Sequence, residues 1–101
     1  MSNILFLYMY RDGANYKNHG EVVFANPQKL ELSSITTAIE SALIDGAWFY
    51  VKPWNLPDLH FEKWDDDIDH TFHEFESVSY TNELPTDNRT IEQFLLQIKN
   101  G

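Results

Sequence analysis

Between Ile4 and Tyr10 the chain sets Ile4, Phe6, Tyr8 and Tyr10 on one side of an extended backbone and Leu5, Leu7 and Met9 on the other. Both sides are apolar, which predicts a central strand covered on both faces. Asp12-Gly13 marks a turn, the polar stretch to Gly20 reads as a loop, and Glu21 to Ala25 reads as the strand returning beside the first, ended by Asn26-Pro27. Ile35, Ala38, Ile39, Ala42 and Leu43 then recur at helical spacing, with Ser33 or Ser34 as N-cap and Asp45-Gly46 as the stop. Ala47 to Val51 predicts a buried strand ended by Pro53. Leu59 and Phe61 alternate with polar neighbours as in a short strand, and Phe72 to Thr81 predicts a further one whose uneven alternation points to a bulge. Thr90 and Gln93 form a capping box ahead of the stripe Ile91, Phe94, Leu95 and Ile98, a second helix.

The order ββαβ(β)βα over residues 1–101 predicts one α+β domain, a two-layer sandwich with an antiparallel or mixed sheet of four to five strands and two helices. With both helices on one face, the other would keep part of the aromatic surplus and offer a route to a homodimer. A composition of 43% hydrophobic and 15% aromatic residues fits a packed core.

Charge narrows the function. The net charge is −9, of which −8 lies beyond residue 52, and eight acids fall between Asp58 and Glu76 against one base, Lys63. Nucleic acid and anionic membrane are poor partners for such a surface, because phosphate binding needs basic groups. The absence of cysteine removes disulfides, thiolate metal sites and thiol nucleophiles. Met1-Ser2-Asn3 followed by the strand pattern lacks a basic leader, and no apolar run reaches membrane-spanning length, so a cytoplasmic protein is the expectation.

Three segments carry candidate chemistry. Asp65, Asp67, Asp69 and Glu76 stand at positions 1, 3, 5 and 12 of an EF-hand-like loop, an oxygen set that suits calcium. Position 6 is His70 where a sharp turn wants Gly, and the segment after Glu76 is β-prone, so a solvated acidic loop competes with that reading. His70 and His73, with His60 nearby, offer imidazoles for a zinc-type ion if they share a face. The Arg11–His19 loop gathers Arg11, Asp12, Asn15, Lys17 and His19 at the end of the central strand, where either a binding site or turn chemistry places such residues. No nucleophile elbow or phosphate-binding glycine loop is present.

The run Tyr10-Arg11-Asp12 through Tyr16-Lys17 to Glu21-Val22-Val23-Phe24, together with Leu56-Pro57-Asp58-Leu59, His70-x-x-His73-Glu74 and Pro85-Thr86-Asp87-x-Arg89-Thr90, resembles a family of small bacterial proteins, a domain of unknown function. The resemblance implies a small bacterial cytoplasmic domain and transfers no catalytic role. It favours functional weight on Arg11, Asp12, His70 and His73, and it does not include the Asp65 to Asp67 run.

The leading expectation is therefore a non-catalytic, acidic protein-interaction module, of which an inhibitor or immunity-type protein masking a basic partner is one concrete form. Arg11, Asp12, Trp54, Trp64, Asp66 and Glu74 are its candidate contacts, with the two tryptophans as exposed aromatics. A metal-binding domain, with calcium or zinc held by the Asp65–Glu76 segment or the histidines, is the alternative; a small enzyme using the Arg11–His19 loop is the third reading. No resident cofactor is expected.

Overall fold

The computed structural model describes residues 2–60 and 72–100. Its elements are β1 (Asn3–Arg11), β2 (Lys17–Phe24), α1 (Leu32–Ala42), β3 (Trp48–Phe49), α2 (Val51–Trp54), β4 (His73–Thr81) and α3 (Ile91–Asn100). Among the described residues this is a mixed α+β fold, with four antiparallel strands in the order β2-β1-β4-β3 and three helices.

The β1–β2 hairpin runs in register from Ile4 opposite Phe24 to Arg11 opposite Lys17. Its turn is tighter than the loop the sequence predicts. The Asp12 carboxylate accepts the backbone N–H groups of Ala14 (3.0 Å) and Tyr16 (2.9 Å), and Asn15 takes the positive φ of 68°. An Asx turn therefore closes the hairpin, and Lys17 to Gly20 belong to β2.

β4 lies on the other side of β1, and its register shifts between Leu7 and Tyr8. Phe6 faces Val78, whereas Tyr8 faces Phe75, so one extra residue of β4 is inserted there. The bulge reverses which positions point inward: Val78 on one side of it, and Phe75 and fully buried His73 on the other, all turn to the face that carries Phe6 and Tyr8. Without it, period-two alternation would send His73 to the opposite face from Val78.

That inner face is the core. Ile4, Phe6 and Tyr8 of β1 pack with Ile35 and Ile39 of α1, Ile91, Phe94 and Ile98 of α3, and Phe49, Val51, Trp54 and Leu56 from the β3–α2 segment. Phe6 is the hub, with ring centroids of Phe24, Phe49, Phe75 and Phe94 all within 6.4 Å. Burying one such ring is worth about 1.5–3 kcal/mol. The aromatics of β1 are thus spent inside; the opposite face carries the half-buried side chains Leu5, Leu7 and Met9 and, across Glu74 from Met9, Trp48 in contact with the Phe72 ring at 5.4 Å, so it keeps part of the aromatic surplus.

Three local expectations are corrected. α1 starts two or three residues earlier, with Glu31 as N-cap and no side-chain cap bond, because Leu32 extends its apolar stripe, and it ends at Ala42 ahead of the Asp45-Gly46 turn. The strand expected over 47–51 shrinks to Trp48–Phe49, since Val51 opens α2 and Pro53 sits within that helix's single turn, where it gives up no helical hydrogen bond. Trp54 is 3% exposed and stacked on Phe49 at 4.4 Å, so it is a core residue and not an exposed docking aromatic. The short strand expected from Leu59 begins as irregular chain at Leu59 and His60, and its remainder lies outside the described residues. The capping box at α3 is realised in both directions: Gln93 N–H donates to the Thr90 hydroxyl and Thr90 N–H to the Gln93 side chain. Among the described residues no helix is long and apolar enough to cross a membrane.

Candidate metal centre

The segment Leu56-Pro57-Asp58-Leu59-His60 leaves α2 through Asn55, whose left-handed φ of 52° turns the chain sharply. It then crosses the inner face of the sheet at the Tyr8–Tyr10 end of β1. Four contacts fix its course. The Tyr8 hydroxyl donates to Pro57 O (2.7 Å), Asn18 Nδ2 donates to Leu59 O (2.9 Å), and Leu59 N–H donates to His73 Nε2 (3.0 Å). The Leu59 side chain lies on Gly20, where a Cβ would stand 2.8 and 2.9 Å from its two methyl carbons. Gly20 is opposite Tyr8 in the hairpin, so its missing side chain makes the space that Leu59 fills.

Arg89 holds the start of this segment. Its guanidinium donates to Trp54 O (2.8 Å), Asn55 O (2.9 Å), Gln97 Oε1 (2.8 Å) and both oxygens of Asp87, and it lies over the rings of Phe24 and Phe94. One planar fork thus joins α2, α3 and the loop before α3. That loop is stitched to the edge of β2, where Thr86 and Asp87 N–H donate to Val23 O. The Asp87 carboxyl is held below its ordinary range by the Arg89 hydrogen bond, against the opposing effect of burial.

At the far end of the segment, Asp58, His60 and His73 converge, and one ligand atom from each lies within 4.8 Å of the others. Asp58 Oδ1 accepts His60 N–H (2.9 Å), touches His60 Nδ1 (2.5 Å) and lies 3.5 Å from His73 Nε2. The His60 ring meets Tyr10 edge-on at 4.3 Å and His73 at 5.2 Å. Because His73 Nε2 accepts a hydrogen bond, the neutral ring carries its proton on Nδ1. Access is graded: the His73 side chain is fully buried, that of His60 is 23% exposed and that of Asp58 55% exposed. Asp58 and His60 form one wall of a shallow depression of about 390 Å³ completed by Tyr50, Val51, Lys52 and Pro53. Burial works to raise the Asp58 carboxyl, but the hydrogen bonds from His60 and the positive character of the two imidazoles outweigh it and hold the carboxyl below its ordinary range. Burial, reinforced by the Asp58 charge, pushes Tyr8 up to about 12.

The residues singled out from sequence fall into three groups. His73 enters the cluster, but with His60 and Asp58 as its neighbours. Trp64, Asp65, Asp66, Asp67, Asp69 and His70 lie outside the described residues. The others are engaged elsewhere. Arg11 donates through Nε to Glu74 (2.8 Å) and through Nη1 to Asn15 (2.7 Å), Asp12 closes the hairpin turn, and Glu76 pairs with His19 Nδ1 at 2.6 Å. Sequence reading missed Asp58. Its signal was the Asp-x-His spacing, which lets a carboxylate accept the N–H two residues on and meet that residue's ring.

Comparison of the chain with family models, with curated proteins and with solved structures gives no match. The functional reading therefore rests on this geometry alone.

Proposed function

We propose that the protein binds a divalent transition-metal ion of the zinc class through Asp58, His60 and His73. The observation that carries this is the convergence of two imidazole nitrogens and a carboxylate oxygen, brought from β4 and from the 56–60 segment, within 4.8 Å of one another. Two nitrogens and one oxygen suit zinc and its neighbours, whereas calcium and magnesium take oxygen ligands. This ligand set replaces the acid-only set over Asp65 to Glu76 as the favoured one. Beneath the cluster Tyr8 holds Pro57 O by a hydrogen bond, and Tyr10 packs on the His60 and His73 rings. Thermal melting of chelator-treated protein tests the reading, because an ion that binds only the folded state raises the midpoint. Zinc at micromolar concentration should raise it by several degrees in the wild type and not in His60→Ala, while calcium and magnesium leave it unchanged. A wild-type midpoint indifferent to zinc rejects the reading.

A second reading, docking to a basic protein partner, is favoured by the net charge of −9. Both arginines of the chain are engaged internally, Arg11 by Glu74 and Arg89 by Asp87, while Glu21, Glu31, Glu40, Asp45 and Glu83 are exposed. Lys17, Lys29, Lys52 and Lys99 are exposed as well, so the acidity this reading draws on is that net charge, and association through it should weaken steeply with salt. Capture of a basic partner that added salt does not release would reject it. The third reading, catalysis from the Arg11–His19 segment, gains no support, since Arg11, Asp12 and His19 all serve local contacts.

A further inference from the structure

The metal reading has a steric and electronic cost that is specific to this chain. An imidazole nitrogen has one in-plane lone pair, and that of His73 Nε2 is taken by Leu59 N–H at 3.0 Å. A zinc–nitrogen bond of about 2.0–2.1 Å would use the same lone pair and occupy the place of the Leu59 hydrogen. The neighbouring pair conflicts as well. Asp58 Oδ1 and His60 Nδ1 are 2.5 Å apart, whereas two ligands on one tetrahedral zinc are separated by roughly 3.3 Å. The Leu59 amide thus keeps His73 Nε2 closed to an ion.

We propose, resting on the metal reading above, that the ion and the Leu59 amide compete for His73 Nε2, so that loading the site moves residues 58–60 off the end of the sheet. The restraints say which part moves. The Tyr8 hydroxyl holds Pro57 O upstream of the competing amide, so Pro57 stays and Asp58 to His60 swing. The contacts given up are Leu59 N–H to His73, Asn18 Nδ2 to Leu59 O and the seat of the Leu59 side chain on Gly20. Burial of His73 and partial exposure of Asp58 and His60 set the order of events: the ion meets the outer two residues first, and reaches His73 only when Leu59 withdraws. The ion's affinity is then reduced by the cost of opening, and anything that loosens the closed state tightens binding.

Backbone amide hydrogen exchange, resolved by residue and measured on the full chain with and without saturating zinc, reads this directly. In the metal-free protein the Leu59 amide should be protected, and zinc should reduce that protection about tenfold or more, as expected for loss of one hydrogen bond. The amides of the β1–β2 ladder should keep or gain protection. Asn18→Ala removes the donor to Leu59 O without touching any ligand atom, and should lower the zinc Kd by about three- to tenfold by weakening the closed state. Zinc binding with the Leu59 amide still protected would overturn this inference and leave the metal site standing. Failure of zinc to bind the wild type would overturn both.

Discussion

His73 Nε2 accepts the backbone N–H of Leu59 at 3.0 Å, and this bond ties β4 to the irregular segment that follows α2. His73 is fully buried among Tyr8, Tyr10 and Phe49, so the ring has two duties: it fills the core and it satisfies a backbone donor.

The two duties separate by substitution. His73→Phe keeps a ring of similar size but offers no acceptor, leaving Leu59 N–H without its partner, and should cost about 1–3 kcal/mol. His73→Ala also opens a cavity against three aromatic rings and should cost more, about 2–5 kcal/mol. Urea denaturation of the two variants checks both the size and the order; a Phe variant as stable as wild type would show that the acceptor contributes nothing, and equal losses in the two would show that the ring's packing contributes nothing.

Arg89 is the second structural centre. Arg89→Lys keeps the charge but cannot reach Trp54 O, Asn55 O, Gln97 and Asp87 in one plane, and should destabilise the fold by about 2–3 kcal/mol. A denaturant midpoint unchanged from the wild type would show that a point charge suffices there.

Asp87 supplies a pH dependence with a definite sign. Its folded-state carboxyl is held below the ordinary range by Arg89, so the unfolded chain takes up its proton first as pH falls. The stabilisation is present in full above the ordinary carboxylate value of about 3.9, and is lost as pH falls from there through the lowered folded value. Asp87→Asn should therefore be less stable than wild type at neutral pH, with the gap closing in that acid window. Melting temperatures of both proteins from pH 7 to pH 2 check it, and a gap that stays constant would assign the loss to packing instead of charge.

The fold was largely legible because its signals are local. Ile4 to Tyr10 marked the central strand, Glu21 to Phe24 its hairpin partner, and Thr90 with Gln93 the start of α3, each through patterns of a few residues. What escaped depended on contacts distant in sequence. Trp54 carries no local sign that it will stack on Phe49 beneath α3, and a four-residue helix containing Pro53 has no periodicity to read. The candidate site was half legible. His73 stood out as an imidazole near others, but its inward direction depends on the extra residue in β4, and its partners Asp58 and His60 arrive from 15 and 13 residues away along an irregular segment. Gly20 was read as loop punctuation, and only the fold shows that its bare backbone seats Leu59.

Asp58, His60 and His73 are proposed to hold one metal ion together. The most direct measurement is a zinc titration of chelator-treated protein followed by the ring-nitrogen NMR resonances of its histidines. His60 and His73 should each move one ring-nitrogen resonance, both changes should be complete at one equivalent of zinc, and Asp58→Ala should weaken binding at least about tenfold. If both rings keep their resonances at excess zinc, the cluster is a hydrogen-bonded clasp for the 56–60 segment and the metal reading is wrong.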